Sequence, residues 1–510
     1  MGGEKKTRTV AVIGAGASGN ELEAPKPSQH CYGLRAITAA ALKAENYFTR
    51  IRVFERRESP GGTWIYDEST KPHLPVKPGD LPGQSDPPLQ IPQALPTTTA
   101  PNHQNRYLET PIYAGLTTNV PAIAMSFSDA PFAYGPFVPH YVPHQYLSNY
   151  FSTHKLDSLL ELNTTLEDLT QVKSESREKD NGWKLTLRKR DLVQNVDIWW
   201  EESFDAVVLA NGHYTVPYVP HVKGLDEYIK KFPGRVIHSK SYRVPHIWKG
   251  KKAIVIGNSA SGKDVSTELV KWSRRSKSRW DGEEPPAGIE WKPIISEYLS
   301  DGGIVFSDGT ILRDVDVVVY ATGYKPSFPF WNLEKNGRPL YDYEQGKLAN
   351  SYWHTWFHDF PTLAIVGLPR VLTFRSMEYQ AIAIARLLSG RQWKSLPPPK
   401  EQTRWETERL EKSKANRTKF HDVVWDEGET QEYLGLFFRI AGLGTLLGEG
   451  RVPPVLSKET IWAIENIRKY PEPGKDQNTR EGFARGEDAQ SEEQDWVVAH
   501  RPNRGALWFI

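Results

Sequence analysis

Four stretches of the chain consist of consecutive apolar residues that run into glycine. They are TVAVIGAGASG from Thr9, FDAVVLANGHY from Phe204, AIVIGNSASG from Ala253 and DVDVVVYATGY from Asp314. Apolar runs of this length that are closed by glycines predict strands of a parallel sheet buried on both faces. Helix-like segments follow the first and third runs, LRAITAAALKAE and KDVSTELVKW. Strands that alternate with helices predict an α/β fold.

The four runs repeat one order: a strand with a glycine turn and a helix, then a strand that ends in ANG or ATG. This repeat predicts two dinucleotide-binding (Rossmann-like) units, with the second nested inside the first. We expect the first unit at residues 1–214 and 326–470 and the second at 215–325. The polar tail, 471–510, has no apolar period and is predicted to be mobile. The proline-rich segment from Lys71 to Asn105 is predicted to be an ordered loop or surface excursion without regular structure.

The first glycine turn has the spacing that holds a dinucleotide. Gly14, Gly16 and Gly19 form GxGxxG, where backbone N–H groups at a helix start bind a pyrophosphate. The next apolar strand, IRVFERR, brings Glu55 to its end, and this carboxylate can accept hydrogen bonds from both hydroxyls of an adenosine ribose. An acidic residue there favours an unphosphorylated ribose, as in FAD or NAD. The alternative is that Glu55 is a solvated residue at a strand end.

An unusual segment separates this turn from its helix. Asn20 to Tyr32 contains Pro25 and Pro27, and each proline removes a backbone donor and disfavours helix at the residue before it. An inserted loop, an unusual splice form and a faulty gene model all fit this interruption. We interpret the segment as damage that displaces the helix without abolishing the turn.

The second glycine turn differs in its surroundings. Gly257, Ser259 and Gly262 have the same spacing, but no acidic residue closes a neighbouring strand. The basic stretch WSRRSKSRW follows instead and brings Arg274 and Arg275. Arginine binds a 2′-phosphate through paired hydrogen bonds, so this unit is predicted to prefer NADPH. The alternative is a solvated basic loop.

Composition limits the possible electron acceptor, the binding partners and the cellular location. Cys31 is the only cysteine, which excludes the cysteine pair of a disulfide reductase, and no metal site is predicted. One unit for an unphosphorylated adenine dinucleotide and one for NADPH together describe a flavoprotein that binds two dinucleotides. Because the cysteine pair is absent, molecular oxygen is its expected electron acceptor. The net charge of +2 gives no reason to expect nucleic acid. No apolar run approaches the roughly 18 residues of a membrane span, and the start lacks a secretory signal, so we expect a cytoplasmic location.

Several motifs together resemble one family. KFPGRVIHSKSYR places Phe232, Gly234, His238 and Tyr242 in the FxGxxxHxxxY spacing of flavin-containing monooxygenases. The segments GGTW, PIYAGLTTNVPAIAMSFSD, YATGY and DFPTLAIVGLP with MEYQAIAIAR are similar to further segments of that family. They run in family order from about residue 9 to 390, and the variant resembles the fungal type.

The resemblance implies an enzyme that uses FAD, NADPH and O2. NADPH would reduce FAD, and oxygen would add to form a C4a-hydroperoxyflavin that oxygenates a sulfur or nitrogen of a small molecule. Asn119 occupies the position of the active-site asparagine, whose amide both donates and accepts hydrogen bonds. His238 is expected to be structural rather than a general base. The resemblance assigns further cofactor contacts to Gly62, Thr63, Trp64, Gly212, Ser261, Gly323 and Gln380.

Two rival functions remain open at this point. The same flavin chemistry supports Baeyer–Villiger oxygenation of a ketone, and the interrupted first turn is compatible with a cofactor-poor, non-catalytic relative. Neither the substrate nor the oligomeric state follows from the sequence, because relatives with one fold differ in both.

Deletion of Asn20 to Gly33 restores GAGASGLRA and should raise the flavin content of the purified protein. The reason is that it rejoins the glycine turn to the helix whose N–H groups hold the pyrophosphate. Titration of both apoproteins with FAD measures the effect. If the full-length chain binds FAD as tightly as the deletion form does, the segment is an accommodated loop and the interpretation as damage is wrong.

Overall fold

The structure is a computed structural model that describes residues 7–14, 36–69, 71–102, 109–132, 135–172, 182–269, 273–274, 283–285, 288–425, 428–443 and 449–470. The segment from Asn20 to Tyr32, Gly16, Gly19, Arg275 and the tail from residue 471 lie outside these ranges. None of the described helices is long and apolar enough to cross a membrane.

The helices within these ranges are α1 Ala36–Ala44, α2 Pro82–Ser85, α3 Ala122–Met125, α4 Tyr141–Thr153, α5 Leu225–Lys231, α6 Ala260–Glu268, α7 Leu333–Asn336, α8 Phe374–Ser389, α9 Pro399–Ala415, α10 Glu429–Ala441 and α11 Lys458–Asn466. The strands are β1 Thr9–Ile13, β2 Arg50–Phe54, β3 Thr97–Thr99, β4 Leu160–Glu161, β5 Thr164–Val172, β6 Gly182–Asp191, β7 Val196–Phe204, β8 Ala206–Leu209, β9 Val216–Pro217, β10 Val236–His238, β11 Ala253–Ile256, β12 Ser273–Arg274, β13 Glu290–Trp291, β14 Ile295–Tyr298, β15 Ile304–Phe306, β16 Ile311–Leu312, β17 Val317–Tyr320, β18 Tyr324–Lys325, β19 Tyr341–Asp342, β20 Lys347–Leu348, β21 Ser351–Tyr352, β22 Trp356–Phe357 and β23 Phe360–Ile365.

The first sheet has seven strands in the order β21-β22-β23-β8-β1-β2-β4. Its strands from β23 to β4 are parallel, which confirms the α/β fold and the first two predicted buried strands. Strand β2 ends at Phe54, so Glu55 follows the strand directly instead of lying within it.

The two faces of this sheet are covered differently. Along β1, Val10 and Val12 pack among α1 and α8, whereas Ala11 and Ile13 pack against the antiparallel sheet β3-β7-β6-β5. Successive side chains of a strand point to opposite faces, so an uninterrupted apolar run fits a strand that is covered on both sides. The strand therefore lies in the centre of the fold, and its ends are available for a site.

The second sheet is built entirely from strands between Val236 and Tyr320, inserted in the chain between β8 and β23. Its five strands are parallel in the order β10-β17-β11-β12-β13. Strand β12 was not recognisable from the sequence. It contains Arg274, which pairs with Val255 of β11. A strand of two residues inside a basic stretch has no apolar run that could reveal it.

The expectation that the proline-rich segment lacks regular structure is wrong in part. Its described residues contain α2 and strand β3, whose Thr98 pairs with Ile198 of β7. Trp199 Nε1 also donates a hydrogen bond to Thr99 Oγ1 at 3.0 Å. Threonine suits a strand that extends an existing sheet edge, and this long-range pairing has no local signal.

Helix α6 packs unusually tightly on the turn that precedes it. A Cβ atom added at Gly262 would lie 2.1 Å from the backbone oxygen of Gly257, which is closer than any non-bonded contact allows. Glycine at this third position of the motif lets a helix approach the strand end directly.

Gly262→Ala should therefore lower the free energy of unfolding by roughly 1–3 kcal/mol, as overpacking does, although alanine is normally the better helix former. Chemical denaturation measures the change. Gly83→Ala in α2 is the matched control, since a Cβ atom there meets nothing within 4 Å. Equal stability of both variants and the parent chain would contradict the packing argument.

Candidate functional site

One cavity lies at the carboxyl edge of the first sheet. Each of the parallel strands β1, β2, β8 and β23 contributes the residues that follow its last member, including Gly14, Glu55, Gly212 and Gly367. In open α/β sheets, ligands bind in the crevice outside the carboxyl ends of the strands. The sequence-predicted residues Gly14, Glu55, Thr63, Trp64 and Gly212 are thus brought together.

Glu55 lines this cavity, and the residue is only 3% exposed. Its Oε1 accepts a hydrogen bond from the backbone N–H of Arg57 at 2.9 Å. The backbone of Glu55 is held by Glu161 and Thr164, so the carboxylate has a fixed position beside the end of β1. Arg56, Arg57 and Lys325 line the same cavity, so basic side chains lie beside this carboxylate.

Backbone shape opens the cavity at Gly212. Its φ of +69° is a left-handed conformation that favours glycine, and a Cβ atom there would meet nothing within 4 Å. On another side, the short 3₁₀ helix Gly62–Trp64 places Thr63 and Trp64 in the lining. The Trp64 ring packs edge-on against Phe374, with centroids 6.2 Å apart. The GGTW segment is therefore braced by the start of α8.

Gln380 lies on α8 but is not part of the cavity lining. It is 1% exposed, and its Oε1 accepts a hydrogen bond from the N–H of Gly367 at 3.0 Å. Its Nε2 donates to Thr355 Oγ1 at 2.7 Å. This side chain fixes the turn after β23, and Gly367 itself faces the cavity.

Asn119 is exposed and lies outside the cavity lining. Its neighbours are buried: Thr118 exchanges two hydrogen bonds with Val138, and Val120 packs in the core. Hydrogen bonds and packing thus fix the loop backbone on both sides of the exposed Asn119. The structure does not place Asn119 among the described residues that line the cavity.

The second glycine turn lies at the carboxyl end of β11. Ser259 occupies the N-cap position of α6 without a capping hydrogen bond from its side chain, and Ser261 and Gly262 lie in the first turn. Gly323 follows the neighbouring strand β17, and the adjacent β12 carries Arg274. The order strand, glycine turn, helix and adjacent strand with a basic residue is the arrangement predicted for a second dinucleotide unit.

Comparison with known proteins decides the family. The flavin-binding monooxygenase-like family model matches residues 102–277 and 287–435, more than half of the chain. The chain belongs to this family. It is an FAD-dependent flavin monooxygenase.

Named relatives span most of the chain. The Arabidopsis thaliana flavin-containing monooxygenase FMO GS-OX5 is 31% identical over 402 residues, 75% of this chain and 74% of its own. The Amanita muscaria flavin-containing monooxygenase iboF is 25% identical over 488 residues, 84% of this chain and 86% of its own. The S-allyl-L-cysteine S-oxygenase of Allium sativum has a similar structure, with a TM-score of 0.67, 25% identity and 98% of both chains covered.

His238 of this flavin monooxygenase is fully buried at the end of β10. Its Nδ1 accepts a hydrogen bond from the N–H of Lys240 at 3.0 Å, and its ring packs edge-on against Tyr324 with centroids 5.3 Å apart. Burial, and next the charge of Lys240, lower the pKa of His238 to about 3. The ring is therefore neutral at pH 7 and joins two sequence motifs, which fits the predicted structural role.

Sequence reasoning missed Asp86, which lines the cavity of this flavin monooxygenase. It is 2% exposed, and its Oδ2 accepts a hydrogen bond from Ser327 Oγ at 2.6 Å. The two residues are 241 positions apart and belong to segments without apolar periodicity. No local pattern could have indicated that a residue of the proline-rich segment reaches this site.

Acid should destabilise the folded enzyme through His238. The unfolded chain binds this proton near pH 6.5 and the folded chain only near pH 3, so stability is lost as pH falls from 6.5 toward 3. The contribution to the slope is up to about 1.4 kcal/mol per pH unit. Urea unfolding at pH 7, 6 and 5 should show a smaller loss for His238→Gln. His246→Gln, at an exposed position, should retain the parent slope, and equal slopes for all three proteins would refute the assignment.

Proposed function

We propose that this chain uses NADPH and O2 to oxygenate a sulfur or nitrogen atom of a small nucleophilic molecule while holding FAD. The observation that carries the proposal is the convergence of four parallel strand ends on one cavity with a buried carboxylate, Glu55. A second sheet with its own glycine turn supplies a place for a second dinucleotide.

The residues of the cavity suit FAD. Gly14 begins the turn for the pyrophosphate, and Glu55 is placed to accept hydrogen bonds from ribose hydroxyls. The open space at Gly212 admits close approach of a planar group, and Trp64 closes the cavity on the side of α8. When bound, FAD would take hydride from NADPH and pass electrons to O2, so that one oxygen atom enters the substrate and the other leaves as water.

The second unit would hold NADPH. The N-terminal turn of α6, with Ser259, Ser261 and Gly262, offers backbone N–H groups to the pyrophosphate. Arg274 lies on β12, the strand beside β11. That is the strand whose end normally reads the adenosine ribose, so an arginine there, followed by Arg275, favours a 2′-phosphate. Gly323 lies in the short segment between the end of β17 at Tyr320 and the start of β18 at Tyr324.

A sulfur substrate is the preferred form of this proposal. The Allium sativum S-allyl-L-cysteine S-oxygenase is similar over 98% of both chains, which supports oxygenation at sulfur. The similarity to the Amanita muscaria relative, which extends over 84% of this chain, is compatible with the fungal type.

The test measures NADPH oxidation, O2 uptake and product mass with S-allyl-L-cysteine, a tertiary amine and cyclohexanone as probes, with NADH in parallel. We expect product to match NADPH with the thioether, and NADPH to be preferred over NADH. Oxygenation of the ketone alone would establish the Baeyer–Villiger alternative. Purified protein that neither contains nor takes up flavin would establish the non-catalytic alternative.

Asn119→Leu separates the family role of this amide from a general effect on folding. If the amide holds the oxygenating site, the variant should still bind FAD and oxidise NADPH but release more hydrogen peroxide and less product. Asn416→Leu, at an exposed asparagine that ends α9, is the control. Unchanged coupling in Asn119→Leu would remove Asn119 from the site.

A further inference from the structure

Asp264, in the second turn of α6, accepts hydrogen bonds from three separate donors. The hydroxyl of Tyr113 donates to Oδ2, and the hydroxyl of Tyr470 donates to Oδ1. Lys469 Nζ donates to Oδ2 at 3.0 Å. These donors belong to two segments far from α6 in sequence: the stretch that leads to Asn119 and the last residues before position 471. The carboxylate is only 15% exposed, so these contacts are largely shielded from water.

The stretch before Asn119 rests on α6 at two further points. Lys469 Nζ also donates to the backbone oxygen of Thr117 at 3.3 Å, so one ammonium group joins α6 to this loop. One helical turn beyond Asp264, a Cβ atom at Gly115 would lie 2.1 Å from Glu268 Oε1. The loop backbone therefore lies directly against the carboxylate face of α6.

The hydroxyls of Tyr113 and Tyr470 stay protonated, and this strengthens their hydrogen bonds to Asp264. Burial, and next the charge of Asp264, raise the pKa of Tyr113, and the same causes raise the pKa of Tyr470. Both phenols are therefore protonated donors at neutral pH. Hydrogen bonds to an ionised carboxylate are shorter and stronger than those between neutral groups.

We propose that Asp264 is a positioning residue that couples the second glycine turn to the loop of residues 113–119, which carries Asn119. The inference rests on the proposed function, because it takes the turn at Gly257 to Gly262 as the NADPH site. Helix α6 begins at this turn, and Gly262 packs directly on the backbone of Gly257, so a shift of the turn must also shift the start of the helix. A nicotinamide dinucleotide that orders the turn thereby orders the loop through Asp264.

The coupling is reciprocal. If bound NADP+ stabilises the loop through Asp264, loosening the loop must weaken NADP+ binding by the same factor. Bound nucleotide would then hold the loop, and Asn119 with it, more firmly than the protein contacts alone do. Substrate-free enzyme with a loosened loop should oxidise NADPH faster and release hydrogen peroxide.

Two conservative variants separate the coupling from a general loss of structure. Tyr113→Phe and Tyr470→Phe each remove one phenol from the same carboxylate, but only Tyr113 belongs to the loop. Hydrogen exchange of the peptide 113–119 is measured in the full chain with and without NADP+, and calorimetry gives NADP+ affinity. In the parent chain NADP+ should slow exchange of this peptide.

We expect Tyr113→Phe and Asp264→Asn to lose this protection and to bind NADP+ about tenfold more weakly, the effect of one lost charge-assisted bond. Tyr470→Phe should keep most of the protection. Retained protection in Tyr113→Phe, or equal loss in both tyrosine variants, would overturn the coupling. A parent chain that does not bind NADP+ contradicts the proposed function, whereas one that binds NADP+ without protecting the loop contradicts only the coupling.

Discussion

The antiparallel pairing of β9 with β18 is the constraint on which the two-sheet arrangement depends. Tyr324 pairs with Pro217 and Lys325 with Val216, so the chain leaves the first sheet and returns to it along adjacent strands. The N–H of Tyr218 donates to the oxygen of Gly323 at 2.9 Å and extends this ladder. The pairing holds the chain segment that leaves β8 beside the segment that follows β17, so both crossings between the sheets lie at one place.

Buried cations hold the surrounding segments to this crossover. Arg243, 3% exposed, donates to the backbone oxygens of Asp67, Thr110, Lys240 and Tyr242. Lys240 Nζ donates to the oxygen of Thr215, one residue before β9, at 2.8 Å. Burying a charge is costly unless hydrogen bonds satisfy it, and carbonyl oxygens from several segments do so here. The same bonds tie the stretch after GGTW to the second sheet.

The local sequence pattern was sufficient to predict the main parallel strands of both sheets. It was not sufficient to predict contacts between segments that are far apart in the chain. Apolar runs located β1, β8, β11 and β17, because a strand buried on both faces has no polar positions to obscure it. Strand β12, the pairing of Thr98 and the bond from Ser327 to Asp86 all depend on partners far along the chain. The contact of Gln380 with Gly367 depends on how α8 packs, which periodicity does not encode.

The pairing of β9 with β18 also gives the second sheet the chain connections of an inserted domain. Neighbouring strands lie about 5 Å apart, so the entry point at Pro217 and the exit point at Tyr324 occupy nearly one place. Inserted domains typically have such adjacent ends. If the second sheet holds the nicotinamide cofactor as proposed, substitutions within it can alter which nicotinamide is accepted, while the parallel strands that line the first cavity lie outside it. Under the proposed function, the choice of electron donor can then change through substitutions in one continuous segment of the chain, with the contacts of Asp264 as the link to the rest.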